Sequence, residues 1–492
     1  MRLQRLALLV LLASARLDAQ SSPEEQARRL LEDGRAYRAQ GKYKQALDDF
    51  NTIVTGFPSS ASAPEALLEI GRYLIDVEGN VEKGRAALED VAQRFPQSEA
   101  APGAYYCLGK LTLDRASTPA ELEDALAQFN RVQRLYARSE WLPRALYASG
   151  LAHRKAGRFA DAVDAQRRVA LEYPSSDAAP AAQFEIGHCL GLMGEYRPAM
   201  EEYQRVRNRY PESEWAARAL ERNTLLYRLY GQEKPAFALD PSYSAGTGDV
   251  LKDVRAILLT PDLTLWVASD KTKSAVSLDR SGKLGPSFAA EDIRTLSLSP
   301  RGEIVVASRL AVRVGKEPKA FAMPPDRSGA TAEALDHIEA AAVTPGGSIL
   351  VSDEKRHRVY RYDAQYEFKG TFPDAKERHV SRIVVDGEGG ISMLGRDERV
   401  VEAFDEAGKL LRTLKLKGAA FEVKRPVDIA LDPLRDLYVV DEEGGLFIFS
   451  PQGQLLTTLG GEELRHPKAV TLDPSGAILV YDDKTQRIVR FK

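Results

Sequence analysis

The chain has 492 residues, which is too long for one ordinary domain and suits two large ones. Hydrophobic residues make up 44% of the sequence, a share typical of folded domains with buried cores. The formal net charge is only −3 at pH 7, so the basic face typical of nucleic-acid binding is not indicated.

Residues 1–19 have the pattern of a secretory signal peptide. Two arginines give a positive start, LALLVLL forms a short apolar core, and small residues follow. Ala19 is the first choice for the cleavage point and Ala15 the second. The apolar run is too short for a permanent transmembrane helix, and no later stretch reaches that length. We therefore expect export to the periplasm or beyond the cell, with an uncleaved N-terminal anchor as the alternative.

Residues 22–234 repeat one kind of joint between helices. An aromatic residue ends a helix, a short turn with serine follows, and a new helix begins, as in YPSSDAAPAAQFEIG from Tyr173. Proline cannot continue a helix, so it marks the end of one helix or the start of the next. The joint recurs about every 38 residues, which predicts some five stacked helical pairs. A final apolar stripe from Trp215 to Tyr230 predicts a capping helix. This position of the joint holds Pro58, Pro96, Pro174 and Pro211, and Ala137 takes the place of proline in the third joint.

Small and large residues recur with the same period. Two antiparallel helices pack closely only where small residues lie at their crossing, and a large side chain one turn later fills the groove beside it. Cys107 and Cys189 lie two repeats apart, so we expect buried thiols rather than a disulfide. The glycines of the first helices are Gly34, Gly71, Gly109, Gly150 and Gly187; the large residues are Phe50, Leu88, Phe129 and Tyr203, with Gln166 as the exception.

The pattern resembles tetratricopeptide repeats over about residues 24–232. The joints, (F/Y)PxS followed by AP and then LG, are similar to those of bacterial envelope proteins such as the periplasmic coordinator of the Tol–Pal system. The resemblance implies a solenoid whose first helices line a concave groove. A partly basic groove suits an acidic peptide or a C-terminal carboxylate, and an ordinary solvated helix face is the alternative. The candidate partner-binding residues are Arg35, Arg38, Arg72, Lys110, Arg154 and His188.

Helical periodicity ends between residues 232 and 248, and short alternating β-rich runs follow. Four strands recur about every 42 residues, a period typical of propeller blades. Six repeats predict a six-bladed β-propeller over residues 236–492. The sixth repeat ends after three strands, so residues 236–239 are predicted to supply the missing one, because folded sheets avoid free edges. The turns after the first strands contain the anchors Pro261, Pro300, Pro345, Gly387, Pro433 and Pro474.

The blades resemble NHL repeats, most closely in HPKAVTLDPSGAILVYDDKTQRIVRFK at the end of the chain. This resemblance implies a propeller, in a class that includes both binding modules and enzymes. Among the enzymes are peptide-amidating lyases that hold zinc with channel histidines. Aspartates at the ends of second strands are interpreted as turn-stabilising or blade-to-blade groups. They are Asp270, Asp353, Asp441 and Asp482.

Six polar residues precede the six anchors at one constant distance, and each is followed by an apolar residue or proline. They should begin equivalent innermost strands at the mouth of the central channel. Three histidines and two aspartates there are donors that suit a divalent metal, although an arginine interrupts the set. A solvated polar rim is the alternative. The candidate channel-mouth ligand residues are Asp253, Asp292, His337, His379, Arg425 and His466.

These patterns predict an all-α solenoid of tetratricopeptide type followed by an all-β six-bladed propeller. No Gly-x-Ser-x-Gly or His-Glu-x-x-His motif occurs. The sequence therefore favours an exported, non-enzymatic scaffold that binds protein or peptide partners in the bacterial cell envelope, with no catalytic residue, cofactor or resident metal. One alternative is a metal-dependent lyase or hydrolase with its site at the channel mouth. The other is a protein that binds cell wall or polysaccharide.

Overall fold

The computed structural model describes residues 22–116, 118–235, 237–243, 248–315, 317–319, 335, 337–372 and 377–492. The predicted signal peptide and Ala236 lie outside these residues. By its internal contacts the chain forms two compact units. The first unit consists of the chain up to Ala156 together with the later segment Leu171–Ala178. The second unit consists of Gly157–Ala170 and Ala179–Lys492. No helix in the described ranges is long and apolar enough to cross a membrane.

Helices occupy the N-terminal half, and within the described residues there are eleven. At every joint the serine amide donates to the carbonyl of the aromatic residue that follows the preceding helix, over 2.9–3.0 Å, as from Ser60 to Phe57 and from Ser213 to Tyr210. The helices are α1 (Pro23–Ala39), α2 (Tyr43–Gly56), α3 (Ser62–Asp76), α4 (Val81–Arg94), α5 (Ala101–Arg115), α6 (Pro119–Leu135), α7 (Leu142–Lys155), α8 (Phe159–Glu172), α9 (Ala179–Leu192), α10 (Tyr196–Arg209) and α11 (Glu214–Tyr230).

The predicted contact between glycines and large side chains brings the paired helices together. A Cβ atom built on Gly109 of α5 would lie 2.6 Å from the Phe129 ring of α6, which is closer than real Cβ atoms approach. The same close approach joins Gly34 to Phe50 and Gly71 to Leu88 in the first unit. Glycine at these positions therefore lets the helices cross, as expected. Cys107 is half-buried and Cys189 is buried, and no disulfide joins them in the described residues.

Six antiparallel sheets form the propeller. First strands of successive blades contact one another around the ring, including the last with the first, so they are innermost. The blades comprise β1 (Val254–Leu259), β2 (Leu265–Ser269), β3 (Ser274–Leu278), β4 (Leu284–Ala289); β5 (Ile293–Leu298), β6 (Ile304–Ser308), β7 (Ala311–Val314), β8 (Glu317–Lys319); β9 (Ile338–Val343), β10 (Ile349–Asp353), β11 (Arg358–Tyr362), β12 (Phe368–Thr371); β13 (Val380–Val385), β14 (Ile391–Gly395), β15 (Val400–Phe404), β16 (Leu410–Lys415); β17 (Pro426–Leu431), β18 (Leu437–Asp441), β19 (Gly445–Phe449), β20 (Leu455–Leu459); and β21 (Pro467–Leu472), β22 (Ile478–Asp482), β23 (Arg487–Phe491).

The sixth sheet has three named strands, and the chain before the first blade lies along its outer edge. Leu239 pairs antiparallel with Phe491. The amide of Ala238 donates to Lys492 O over 2.9 Å, the amide of Lys492 donates to Ala238 O over the same distance, and Asp240 N donates to Arg490 O over 2.8 Å. Both ends of the propeller sequence thus meet in one blade.

Within the second unit, helices α8 to α11 share a single hydrophobic core with the fifth and sixth blades. Leu225 and Leu229 of α11 are buried in it, together with Leu434 of the fifth blade and Val480 of the sixth. The predicted capping helix, α11, is therefore itself covered by two blades.

Candidate functional site

The six predicted channel-mouth residues occupy equivalent places, and we call this set the rim. Each stands immediately before the first strand of its blade. The carbonyl of each accepts a hydrogen bond from the amide of the residue that follows the second strand, over 2.8–3.3 Å. The amide donors to Asp253, Asp292, His337, His379, Arg425 and His466 are, in that order, Asp270, Arg309, Glu354, Arg396, Glu442 and Asp483.

Aspartates at the ends of second strands hold the rim backbone in two blades. Asp441 Oδ1 accepts the amide of Arg425 over 2.8 Å, and Asp482 Oδ2 accepts the amide of His466 over 2.6 Å. Asp353 instead accepts the amide and the guanidinium of Arg356 in its own turn. These aspartates shape the backbone from which the rim side chains project.

Two rim histidines lie between carboxylates of their own and the preceding blade. His379 Nδ1 lies 3.4 Å from Asp397 Oδ2, and Nε2 lies 3.9 Å from Glu354 Oε1. His466 repeats the arrangement, with Nε2 3.3 Å from Glu442 Oε1 and Nδ1 3.9 Å from an oxygen of Asp483. Each of these imidazoles therefore has one carboxylate of its own blade and one of the preceding blade as neighbours.

The other rim residues have different neighbours. Arg425 Nη2 lies 2.8 Å from Glu442 Oε2, and Arg309 Nη2 lies 3.3 Å from His337 Nε2. Asp253 and Asp292 are exposed and have φ values of 51° and 50°, a left-handed conformation that short polar residues tolerate. The six rim positions therefore have equivalent backbone contacts, but their side chains differ in charge and in neighbours.

Sequence reasoning placed the rim but missed the carboxylates that contact it. Glu442 is buried, and it contacts Arg425, His466 and also Lys468 Nζ at 3.7 Å. Its position directly after a second strand is the signal that could have found it, since Glu354 stands at the same place. In the part of the chain that the structure describes, no three His, Cys, Asp or Glu residues are grouped so as to hold a metal ion.

Deeper along the first strands, one ion pair joins two blades. Arg382 Nε lies 2.9 Å from Asp428 Oδ1, and Asp428 Oδ2 accepts the amide of Val470 from the next blade over 2.9 Å. Burial raises the pKa of the Asp428 carboxyl, and the Arg382 charge opposes that rise. Asp428 thus links three consecutive blades just beneath the rim.

In the first unit, three predicted groove arginines converge on one buried carboxylate. Arg38 pairs with Glu69, which is only 5% exposed, and Arg72 Nη1 lies 3.6 Å from it. Arg35 pairs with Glu65 and lies 4.0 Å from Glu69. We call these five residues the Glu69 cluster. Three guanidinium groups and two carboxylates leave it one formal positive charge.

The remaining groove candidates do not join this cluster. Lys110 Nζ lies 2.5 Å from Asp114 on its own helix, and Arg154 is half-buried on α7. His188 lies in the second unit, buried, with its ring stacked on Phe184 at a centroid distance of 6.4 Å. The structure therefore groups Arg35, Arg38 and Arg72 and leaves the other three apart from them.

Comparisons with known proteins agree with this architecture. A family model of the tetratricopeptide repeat matches residues 34–60, 65–98, 144–176 and 181–213. The N-terminal half thus contains tetratricopeptide repeats, and the predicted fold class is confirmed. Such repeats and propellers both suit protein–protein interaction.

Several solved structures resemble the chain, and the three described next each cover about half of it. A streptogramin B lyase shares 14% identity, with a TM-score of 0.39, over 52% of this chain and 97% of that one. A virginiamycin B lyase from Staphylococcus aureus shares 14% identity, with a TM-score of 0.38, over 50% and 82%. Hydrazine synthase from Kuenenia stuttgartiensis shares 12% identity, with a TM-score of 0.36, over 51% and 98%. A sequence comparison with curated proteins finds no match.

Proposed function

We propose that the protein is a non-enzymatic scaffold that, after export, holds protein or peptide partners in the bacterial cell envelope. The observation that carries this proposal is the tetratricopeptide pattern, matched in four repeats. Repeats of this kind present extended surfaces to peptides. The pattern of residues 1–19 supports export.

The Glu69 cluster supports an acidic partner segment or a C-terminal carboxylate. Glu69 is buried and fixes the guanidinium groups of Arg38 and Arg72 from one side. A guanidinium that is already held in place loses less side-chain entropy when it binds a second carboxylate. The remaining positive charge of the cluster would attract the same partner.

The rim supplies the second surface in this proposal. Its exposed Asp253, Asp292 and Arg425 offer both signs of charge to a partner that lies over the ring. Two modest sites on one chain strengthen capture, because binding at one raises the effective concentration at the other. We therefore expect loss of either site to weaken capture and loss of both to abolish it.

Crosslinking of the tagged full-length protein in bacterial cells tests the proposal. Arg35→Gln combined with Arg72→Gln should reduce the yield of crosslinked partners by roughly tenfold, since two charged contacts are lost. Arg94→Gln on α4 is the matched control, because Arg94 is exposed and forms an ion pair within its own helix, 2.7 Å from Asp90. Equal capture by the double variant and the control would overturn the groove site.

Export is tested separately by intact-mass measurement of the periplasmic and secreted fractions. The proposal expects a form that lacks residues 1–19. A cytoplasmic protein that retains these residues would contradict the envelope role without affecting the binding role.

A further inference from the structure

The last helices and two propeller blades meet at a buried contact that we call the seam. It consists of α10 and α11 against the turns between the first and second strands of the fifth and sixth blades. Arg222 Nη1 donates to Pro474 O and Arg228 Nη1 donates to Ser475 O, each over 3.0 Å. A Cβ atom on Gly476 would overlap Leu225, so the helix lies directly on the turn of the sixth blade.

A pair of carboxyl groups lies buried where the seam crosses the fifth blade. Tyr230 at the end of α11 donates its hydroxyl to Asp436 Oδ1, and the Tyr196 ring stacks on Tyr230 at a centroid distance of 3.5 Å. Asp436 is fully buried, and its second oxygen has no hydrogen-bond partner in the described residues. Beside it lies Asp432, also buried.

Asp432 is satisfied by its own blade. Its Oδ1 accepts the amides of Leu434 and Asp436 over 2.8 and 3.0 Å, and Tyr438 donates to Oδ2 over 3.3 Å. The seam arginines donate to main-chain carbonyls. Arg435, in the same turn, lies 2.7 Å from Asp386 of the fourth blade. The helical group that contacts Asp436 is therefore the neutral hydroxyl of Tyr230. A neutral hydroxyl does not compensate the second negative charge that arises when Asp432 and Asp436 are both ionised.

We propose that the Asp432–Asp436 pair makes the seam a pH-sensitive latch, which holds the final helices against the propeller while the pair retains a proton and loosens when both carboxyls are ionised. Two ionised carboxylates in a buried contact repel one another and lose their hydration. Release of α11 from the turns rehydrates them. The latch therefore couples the end of the helical repeats to the propeller in a way that responds to pH.

The direction of the effect follows from the two carboxyls. Burial raises the pKa of Asp432 to about 6, and hydrogen bonds from Asp436 and the Leu434 amide oppose the rise, followed by the weaker influence of the Arg222 charge. Burial, followed by the charge of Asp432, raises the pKa of Asp436 well above its ordinary value, and the Tyr230 hydrogen bond opposes this. Since both values lie above those of an unfolded aspartate, the stabilisation is complete below about pH 4 and is lost as pH rises through about 6 and beyond.

Hydrogen exchange of the full-length protein, read by mass spectrometry at pH 5 and pH 8 and corrected for intrinsic rates, tests the latch. In the wild type, amides of α11 and of the 432–436 turn should exchange on the order of tenfold faster at pH 8. Asp436→Asn keeps an oxygen for Tyr230 and leaves Asp432 as the one carboxyl of the pair that can ionise, so the difference in exchange between pH 5 and pH 8 should be much smaller than in the wild type. Asp279→Asn is the matched control, because Asp279 caps an exposed turn of the first blade, accepting the amides of Ser281 and Lys283.

Tyr230→Phe gives an independent readout. Ionised Asp436 loses the hydroxyl that donates to it across the seam in this variant, so the difference between pH 5 and pH 8 should grow. Exchange in α11 that is independent of pH in the wild type would overturn the latch. The same conclusion would follow if Asp436→Asn kept the wild-type pH dependence.

Discussion

The helical repeats and the propeller blades are both built by repetition, but they repeat different kinds of contact. In the helical pairs, the recurring contact packs a large side chain of one helix against the backbone of a glycine in the other. Phe129, for example, fills the space that a Cβ atom on Gly109 would take. In the blades, the recurring contact joins backbone to backbone, from the amide after the second strand to the carbonyl of the rim residue.

The difference decides where residue types are free to vary. A packing contact dictates the residue, because only glycine fits beneath Phe129. A backbone hydrogen bond leaves the side chain open, and Asp, His and Arg all occur at one rim position. We infer that in the propeller the side chain varies at the repeated rim position itself. In the helices the side chain varies next to the repeated glycine, as at Arg35 and Arg72.

The largest effect is expected where the helical contact is broken. Gly109→Val would put a branched side chain against the Phe129 ring and should lower the free energy of unfolding of the first unit by about 3 kcal/mol. Urea unfolding followed by far-UV circular dichroism measures the change. Gly56→Val is the control, since nothing lies within 4 Å of a Cβ there. Equal losses in the two variants would show that the close crossing has no special importance.

A smaller loss is expected where a side chain supports the backbone contact of the blades. Asp441 is buried and accepts the amides of Lys424 and Arg425 over 3.0 and 2.8 Å. Asp441→Ala leaves these donors unsatisfied and should cost about 2 kcal/mol in the unfolding of the propeller. Asp405→Ala removes a half-buried side chain that accepts the Lys409 amide over 2.8 Å, and should cost less than half as much because Asp405 is less buried than Asp441. Reversal of this order would contradict the role given to Asp441.

The anchor turns should show a purely conformational effect. Gly347 has a φ of 83°, and nothing lies within 4 Å of a Cβ built on it. Gly347→Ala should therefore cost about 1 kcal/mol through left-handed strain alone. Gly387→Ala, in the next anchor turn, also has open space but no positive φ, and its thermal midpoint should match the wild type. A cost at Gly387 equal to that at Gly347 would exclude strain as the cause.

The smallest effect is expected at the rim side chains. His466→Ala keeps the carbonyl that accepts the Asp483 amide, and Glu442 retains Arg425 and Lys468 as neighbours. The free energy of unfolding should change by less than about 0.5 kcal/mol. Calorimetry of the full-length variant measures this, and a loss above 2 kcal/mol would make the rim histidines structural rather than variable.

The contrast also explains which features the sequence could predict. The joints, the crossing glycines and the rim register all follow from periodic positions, and residues such as Phe57, Gly71 and His379 lie where the period places them. Glu69 and Glu442 escaped prediction because their importance comes from neighbours in other repeats. A period shows that two residues are equivalent, but it does not show which residues are close across repeats.

The seam was beyond sequence reasoning for a related reason. Tyr230 and Asp436 are separated by 206 positions and belong to different kinds of repeat. Nothing in the turn sequence DPLRD distinguishes Asp436 from an ordinary polar turn residue. Its burial follows only from the placement of α11 on the fifth blade, which neither period contains.

The pairing of Leu239 with Phe491 has a consequence for the order of folding. These residues lie about 250 positions apart, at opposite ends of the propeller sequence. The two most distant segments of the propeller must therefore come together to complete the sixth blade. The entropy lost on closing so long a loop favours prior formation of the local hairpins in each blade. Completion of the circle is then the slowest step, and a pulse of deuterium during refolding should label the Ala238 and Asp240 amides last of all.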